Sequence, residues 1–283
     1  MALQPGRVGI VGLGLIGGSL GLDLQARGWS VQGLVHRQAT ADRAMARGLV
    51  GAVSTDPSCL SGCDLVILAL PIPLLLNPPD ELIAALPEAA VITDVGSVKQ
   101  PVLEAWRQRH PRFVASHPMA GTAQAGVEAG VVDLFRGRPW IATPDAATDP
   151  AALAQVRDLA LSVGGHWLTS TASQHDQAVA LISHMPVLVS AALLRAVGDE
   201  RDPEIRQLAM VLARPVALPT PVVWAEGIPN WGWRWPPPTG MRCCAAWRPT
   251  AGAWSSSKML CFSKTGPSWS WNCAEPRPFA RIF

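Results

Sequence analysis

The feature that most constrains this chain is a glycine pattern near its start. Gly12, Gly14 and Gly17 give G-x-G-x-x-G directly after Arg7–Val11, an apolar run typical of a β-strand. In a β-α-β unit the first glycine permits the tight turn, the second lets a pyrophosphate approach the backbone, and the third lets helix and strand pack closely. The pattern predicts a dinucleotide-binding turn, with a purely structural glycine turn as the alternative. The residues predicted to hold the cofactor here are Gly12, Gly14, Leu15, Ile16 and Gly17.

Residues 1–145 alternate short apolar runs with helical stretches. Strands are predicted at Arg7–Val11, Ser30–Val35, Leu65–Leu70, Val91–Asp94 and Phe113–Ser116. Helices are predicted at Ile16–Arg27, at Ala41–Arg47 and in parts of Leu74–Leu86. This order predicts an α/β fold of the Rossmann type, in which a parallel sheet lies between layers of helices.

A second, all-helical part is predicted to follow. The predicted elements after residue 145 are the helix Pro150–Val163, an edge strand at His166–Thr169, and the helices Ser173–Val197 and Pro203–Ala213. Pro186 must kink the long apolar helix, because proline has no N–H to donate. The predicted domains are residues 1–172 (Rossmann, cofactor-binding), residues 173–213 (the start of an incomplete helical dimerisation and substrate domain) and residues 214–283 (an atypical tail).

The choice of cofactor is predicted from the end of the second strand. An NAD site needs a carboxylate there to bind the ribose hydroxyls, but His36–Thr40 contains no acidic residue. Arg37 could pair with a 2′-phosphate and Thr40 could add a hydroxyl, so NADP is favoured over NAD. The alternative is that Arg37 is a solvated surface arginine. Leu70 and Pro71, after the third predicted strand, complete the predicted cofactor site.

Histidines and other polar residues follow several of the predicted strands. They lie in the segments Asp94–Lys99, His117–Thr122, His175–Asp176 and Ser183–Pro186. Ligands of α/β sheets bind at the carboxyl ends of the strands, so these segments are candidates for the chemistry. A single loop histidine is more often a hydrogen-bonded structural residue, but together the segments favour a site.

With these residues the chain resembles the prephenate/arogenate dehydrogenase family. The matching segments are G-L-G-L-I-G-G-S, D-V-G-S-V-K, H-P-M-A-G-T and H-D-x-A-V-A-x-I-S-H-x-P, in the family's order over residues 7–213. The version here is most similar to the cyanobacterial type, which is mostly NADP-dependent and prefers arogenate. The resemblance implies a cytoplasmic homodimer that acts on a small molecule, without a metal, a nucleic acid or a membrane.

The resemblance also implies a reaction and residue roles. The reaction is oxidative decarboxylation of arogenate to tyrosine, or of prephenate to its keto-acid counterpart. His117 would take the proton of the ring hydroxyl as hydride leaves, which requires a group near its neutral form. Ser97 would hydrogen-bond to the same hydroxyl. The predicted substrate-binding residues are His184, Ser183 and Thr122.

After Ala213 the family pattern ends and the composition changes. Eight of the 12 Trp residues lie in the last 70 residues, with only two Leu, Leu218 and Leu260. We predict that residues 214–283 are a frameshifted version of the family's C-terminus. Trp has one codon, so Trp231-Gly232 must give Gly in the shifted frame, and Asn230-Trp231 must give Leu. The family's S-G-F-x-D-T-S-R-x-G segment, whose Arg binds a substrate carboxylate, fits residues 214–233 in that frame.

Alternatives remain open at this point. The tail could be a divergent or membrane-interface segment, and the chain could be a non-catalytic dinucleotide-binding remnant. Another hydroxyacid-type dehydrogenase would require a catalytic Lys on a helix near residues 165–175, which the sequence lacks.

The start of the chain is not typical of a signal peptide, and no uninterrupted apolar run of about 18 residues predicts a membrane span. A net charge of +2 does not suggest a nucleic-acid partner. Arogenate and prephenate cannot be distinguished.

Overall fold

The computed structural model describes residues 6–212, 244–245, 259–265 and 268–274. The chain divides into two compact units, residues 1–229 and residues 230–283. The first unit contains every element that bears on the predicted site.

A six-stranded parallel sheet forms the centre of the first unit. Its strands are β1 (Arg7–Val11), β2 (Ser30–Leu34), β3 (Ala52–Ser54), β4 (Leu65–Leu68), β5 (Val91–Asp94) and β6 (Phe113–Val114). The strand order is β3-β2-β1-β4-β5-β6, and every pairing is parallel. The Rossmann-type fold is therefore confirmed. The short strand β3 had no clear sequence signal.

Helices cover both faces of this sheet. They are α1 (Leu15–Gln25), α2 (Gln38–Ala46), α3 (Ile72–Leu76), α4 (Asp80–Ala85) and α5 (Gln100–Trp106). A 3₁₀ turn, Pro57–Leu60, lies between α2 and α3, and a second, Val127–Ala129, follows α5 in the chain. Along β4, Leu65 and Ile67 join one apolar cluster, whereas Val66 and Leu68 join another. Because side chains alternate between the faces of a strand, this apolar run is buried on both sides.

A second, smaller sheet departs from the sequence prediction. It contains β7 (Ser116–Pro118), β8 (Pro139–Ala142) and β9 (His166–Thr169), in the order β7-β8-β9. The predicted edge strand His166–Thr169 does form, but it pairs with β8 rather than with the main sheet. The predicted strand Phe113–Ser116 is divided, because its end turns away to pair with β8. Helix α6 (Pro150–Ser162) precedes β9, and the Asp149 carboxylate caps it by accepting the Ala151 N–H at 2.8 Å.

The long apolar helix is interrupted near its middle. Its parts are α7 (Ala172–Val179), a π-helical turn (Ala180–His184) and α8 (Met185–Gly198). The wide turn ends just before Pro186, where the missing N–H leaves a gap in the hydrogen-bond ladder, and single π turns often occur at functional sites. Helix α9 (Pro203–Leu212) follows.

The whole stretch Ala172–Gly198 is long and apolar enough, by length and composition alone, to cross a bilayer. Core helices of soluble proteins pass the same test. The absence of a membrane span therefore stays a prediction for this stretch.

In the second unit the described residues form a three-stranded antiparallel sheet. Its strands are β10 (Cys244–Ala245), β11 (Met259–Thr265) and β12 (Ser268–Ala274), in that order. Most of residues 214–283, including the segment that would encode the family's carboxylate-binding Arg in another frame, lies outside the described residues. The frameshift therefore stays a prediction.

Candidate active site

The glycine turn between β1 and α1 has the geometry that its pattern predicts. Gly12 has φ +93°, and a Cβ there would lie 2.4 Å from the Ala69 carbonyl oxygen. A Cβ on Gly17 would lie 1.9 Å from the Gly12 carbonyl oxygen. A Cβ on Gly14, by contrast, would meet no atom within 4 Å. Packing thus requires the first and third glycines, whereas the second borders open space.

This turn fits the phosphates of a dinucleotide. Gly14 is the N-cap of α1, and no side chain caps that end of the helix. The first N–H groups of a helix have no partner within it and point outward, where they favour an anion. The open space at Gly14 lets an anion reach these groups. Leu15 and Ile16 begin the helix at the same point.

The other predicted cofactor residues lie at the same end of the sheet. Arg37 is the exposed N-cap residue of α2, three residues after the end of β2, and the half-buried Thr40 lies in the first turn of that helix. Leu70 and Pro71 follow β4, which pairs with β1. The structure therefore brings these residues to the carboxyl edges of three neighbouring strands. Their contacts with a cofactor remain a prediction.

A buried ion pair joins two residues of the segment Asp94–Lys99. The side chains of Asp94 and Lys99 are both fully buried, and Lys99 Nζ donates to Asp94 Oδ2. Lys99 Nζ also donates to the Ser116 carbonyl at 2.7 Å, and the Ser116 N–H donates to Asp94 Oδ1 at 3.1 Å. Burial raises the pKa of Asp94 and lowers the pKa of Lys99, while the opposite charge of each partner counters these shifts. The pair therefore fixes the backbone directly before His117.

His117 is joined to a second histidine and a carboxylate. His117 Nδ1 lies 2.9 Å from His175 Nε2, and the two rings meet edge to face at 74°. His175 Nδ1 lies 2.7 Å from Asp176 Oδ1. Asp176 in turn accepts the backbone N–H groups of Lys99 at 2.7 Å and Gln100 at 2.9 Å. These contacts join the start of α5, the end of β7 and the start of α7.

The environment of His117 keeps its imidazole neutral. Burial lowers its pKa from 6.5 to about 3, and the positive charge of Lys99 acts in the same direction. A neutral imidazole can accept a proton at working pH, as a general base must. Burial also lowers the pKa of His175, although Asp176 opposes this effect.

The remaining predicted site residues lie on three different segments of the chain. Ser97 is half-buried in the turn between β5 and α5, and Thr122 is exposed after β7. Ser183 is exposed and His184 is half-buried in the π-helical turn. His184 lies close enough for its charge to lower the pKa of His117. The roles of these four residues stay predictions.

The sequence motifs contain His175 and Asp176 but predict no role for them. Their connection to His117 spans 58 residues of chain, so no local pattern could reveal it. A His-Asp pair four residues after Thr171, which caps α7, was the only signal in the sequence. The buried Asp94–Lys99 pair was likewise visible only as part of a motif.

The fold and the glycine turn define a dinucleotide-binding domain joined to a helical region. Residues 20–169 match the family model described as prephenate dehydrogenase, nucleotide-binding domain. Residues 171–215 match the model described as prephenate dehydrogenase, dimerization domain.

Curated proteins and solved structures with similar sequences agree with these matches. A cyclohexadienyl dehydrogenase of Zymomonas mobilis is 33% identical over 77% of this chain and 78% of its own length. A prephenate dehydrogenase of Bacillus subtilis is 31% identical over 77% of this chain and 62% of its own. The structure of an arogenate dehydrogenase from Synechocystis is 39% identical, with a TM-score of 0.64, covering 79% of this chain and 80% of that one. A prephenate dehydrogenase from A. aeolicus, solved with hydroxyphenyl propionate and NAD⁺, is 27% identical, with a TM-score of 0.69, covering 80% and 83%.

The chain belongs to the prephenate/arogenate dehydrogenase family, whose members are oxidoreductases of tyrosine biosynthesis. The resemblance found from the sequence motifs is thereby confirmed at the level of the family.

Proposed function

We propose that this protein is an NADP-dependent dehydrogenase that oxidatively decarboxylates arogenate, or alternatively prephenate. The product is tyrosine from arogenate or 4-hydroxyphenylpyruvate from prephenate. The observation that carries this proposal is the half-buried His117, whose lowered pKa keeps it neutral, held by His175 at the carboxyl edge of a parallel sheet that bears a dinucleotide turn.

The proposed chemistry assigns a proton transfer to His117. A bound nicotinamide dinucleotide would supply the acceptor for the hydride on the ring carbon that carries the 4-hydroxyl. His117 Nε2 accepts the hydroxyl proton, which lets the oxygen's electrons move toward the ring carbon. As the bond to the ring carboxylate breaks, its electron pair passes through the ring to the former hydroxyl oxygen, which takes the proton back from His117. Carbon dioxide leaves and the ring becomes aromatic. Ser97 hydrogen-bonds to the same hydroxyl.

The other predicted residues orient the two ligands. His184, Ser183 and Thr122 bind the substrate beside His117. The residues Gly12, Gly14, Leu15, Ile16 and Gly17 hold the pyrophosphate, and Leu70 and Pro71 border the cofactor where β4 ends. Arg37 pairs with the 2′-phosphate of NADP, because a guanidinium matches a phosphate in charge and geometry. The family evidence supports a nicotinamide dinucleotide in general, and the NADP preference rests on Arg37, on Thr40 and on the absence of an acidic residue in His36–Thr40.

The test of this proposal is turnover by the full chain with arogenate and with prephenate, each with NADP and with NAD. In an active chain, His117→Ala should lower kcat by at least about a hundredfold, which is typical of losing a general base. His166→Ala is the matched control, since His166 is exposed on β9. A smaller loss for His117→Ala would remove His117 from proton transfer.

Cofactor preference has its own test. Arg37→Ala should weaken NADP binding by about tenfold and leave NAD binding nearly unchanged, because only NADP carries the 2′-phosphate. Arg109→Ala is the control, since Arg109 is exposed after α5, at the opposite end of the sheet. Equal losses for both cofactors, or a tenfold preference of the unaltered chain for NAD, would contradict the NADP assignment.

A non-catalytic dinucleotide-binding protein is a second candidate. The match to the dimerization domain ends at residue 215, at the start of residues 214–233, to which the substrate clamp is predicted to correspond in the shifted frame. NADPH binding without turnover of either substrate would support this candidate. Activity that appears only in a frame-corrected chain would identify the missing segment as the cause.

The family's dimerization domain suggests a homodimer. Apolar side chains of α8 and α9 are exposed in the single chain, among them Leu188, Val189 and Leu208. A second copy covering these side chains would explain them, although the predicted dimer helices are incomplete here. The predicted compartment is the cytoplasm.

A further inference from the structure

The position of Asp176 is fixed from two sides. Its Oδ1 accepts the Lys99 backbone N–H at 2.7 Å and its Oδ2 accepts the Gln100 backbone N–H at 2.9 Å. Both donors belong to the start of α5, where N–H groups have no partner within the helix. The carboxylate therefore cannot rotate without losing two hydrogen bonds, and it presents Oδ1 to His175.

The contact with Asp176 decides which nitrogen of His175 carries the proton. Asp176 Oδ1 lies 2.7 Å from His175 Nδ1, and an ionised carboxylate only accepts hydrogen bonds. His175 Nδ1 must therefore be the donor. Since burial lowers the pKa of His175, its ring carries one proton, and Nε2 presents a lone pair.

That lone pair faces His117. His175 Nε2 lies 2.9 Å from His117 Nδ1, and the side chain of His175 is fully buried, so no water competes for it. Two lone pairs at this distance would repel each other, so His117 Nδ1 must donate. A neutral imidazole with its proton on Nδ1 has an unprotonated Nε2.

We propose that His175 and Asp176 are positioning residues that hold His117 in the Nδ1-protonated tautomer, so that its Nε2 is free to accept the substrate hydroxyl proton. The role of Nε2 in this inference rests on the proposed function. The tautomer itself does not, because it follows from the chain's own contacts.

The same network fixes the backbone of His117. Lys99 donates its backbone N–H to Asp176 and its Nζ to the carbonyl of Ser116, the residue before His117. Lys99 thus contacts both Asp176 and the backbone next to His117. The imidazole is held through its ring nitrogen and through the peptide that carries it, which restricts both its rotation and its tautomer.

Nitrogen NMR of the full chain with ¹⁵N-labelled histidine tests the tautomer without any need for activity. The His117 signals are assigned by their loss in His117→Asn. We expect Nδ1 of His117 to be protonated and Nε2 to be unprotonated in the unaltered chain. Proton on Nε2 would overturn the proposal, and this measurement requires no variant of His175 to fold.

Two variants of His175 separate tautomer control from simple packing. In His175→Gln the amide oxygen can still accept from His117 Nδ1, whereas the side chain in His175→Leu accepts nothing. We expect the Nδ1-protonated form to persist in His175→Gln and to give way to a mixture of tautomers in His175→Leu. An unchanged His117 tautomer in a folded His175→Leu would contradict the proposal.

Steady-state kinetics, with whichever of arogenate and prephenate the chain turns over, provide the second readout. We expect His175→Leu to lower kcat by about 10- to 100-fold with little change in KM, and His175→Gln to recover most of the loss. Equal losses in the two variants would overturn the positioning role. If the unaltered chain turns over neither substrate, the proposed function fails, but the tautomer measurement still decides this inference.

Discussion

Two regions of the first unit differ in how they bury their apolar residues. The nucleotide-binding region, residues 6–171, has a core on both faces of the sheet, and residues such as Ile10, Leu20 and Ile67 are fully buried. The helical region, residues 172–212, has α8 with a single buried residue, Ser190, among its 14. The first region buries its apolar residues in a core, whereas the second leaves apolar side chains such as Leu188 and Val189 exposed.

The largest expected effect lies beneath the active site in the nucleotide-binding region. Lys99→Met removes the positive partner of Asp94 and leaves a buried carboxylate uncompensated. We expect a loss of about 3–5 kcal/mol in the free energy of unfolding, measured by urea denaturation. The double variant Asp94→Asn, Lys99→Met removes both charges and should lose much less. Equal losses in the two variants would mean that packing, not charge, dominates at this position.

A matched pair of leucines compares the two regions directly. Leu20 on α1 is fully buried, whereas Leu208 on α9 is 59% exposed. We expect Leu20→Ala to cost about 2–5 kcal/mol, and Leu208→Ala to cost less than about 0.5 kcal/mol in dilute monomer. The measurement is urea denaturation at several protein concentrations. A cost for Leu208→Ala that grows with concentration would show that a second copy covers α9 in solution.

The smallest effect is a pH dependence of stability that arises from His117. Its pKa is 6.5 when exposed and about 3 in the folded chain. Between these values the unfolded chain binds a proton that the folded chain does not, so stability falls as the pH drops below about 6.5. The contribution is at most about 1.4 kcal/mol per pH unit. His117→Asn should flatten the dependence of the urea midpoint on pH between 7.5 and 5, and an unchanged slope would contradict the lowered pKa.

The agreement between sequence and structure follows the same division. The strands β1 and β5 were predicted to the residue, because both are short runs rich in the β-branched residues that favour strands. The strands β3 and β8 were missed, since three or four residues that include alanine or proline carry little pattern. The sequence did not predict the sheet β7-β8-β9 either. Its strands are far apart in the sequence, and only tertiary pairing shows that β9 belongs with β8.

The candidate site could likewise be predicted only in part from the sequence. The motifs located His117, Ser97 and the glycine turn, since each follows a predicted strand. They could not show that His175 touches His117, because that contact depends on how α7 packs beside β7. They could not show the neutral state of His117 either, because its lowered pKa results from burial and from the nearby Lys99.

The sequence by itself determined the Rossmann-type fold, the dinucleotide turn and the family, because glycine spacing and apolar runs are local and have few physical solutions. The tertiary structure decided how residues far apart in the chain meet. It placed the Asp176 carboxylate on the start of α5, His175 on that carboxylate and His117 on His175. Hydrogen bonds between distant residues form only once the sheet and helices bring them within about 3 Å, so no pattern along the chain encodes them separately.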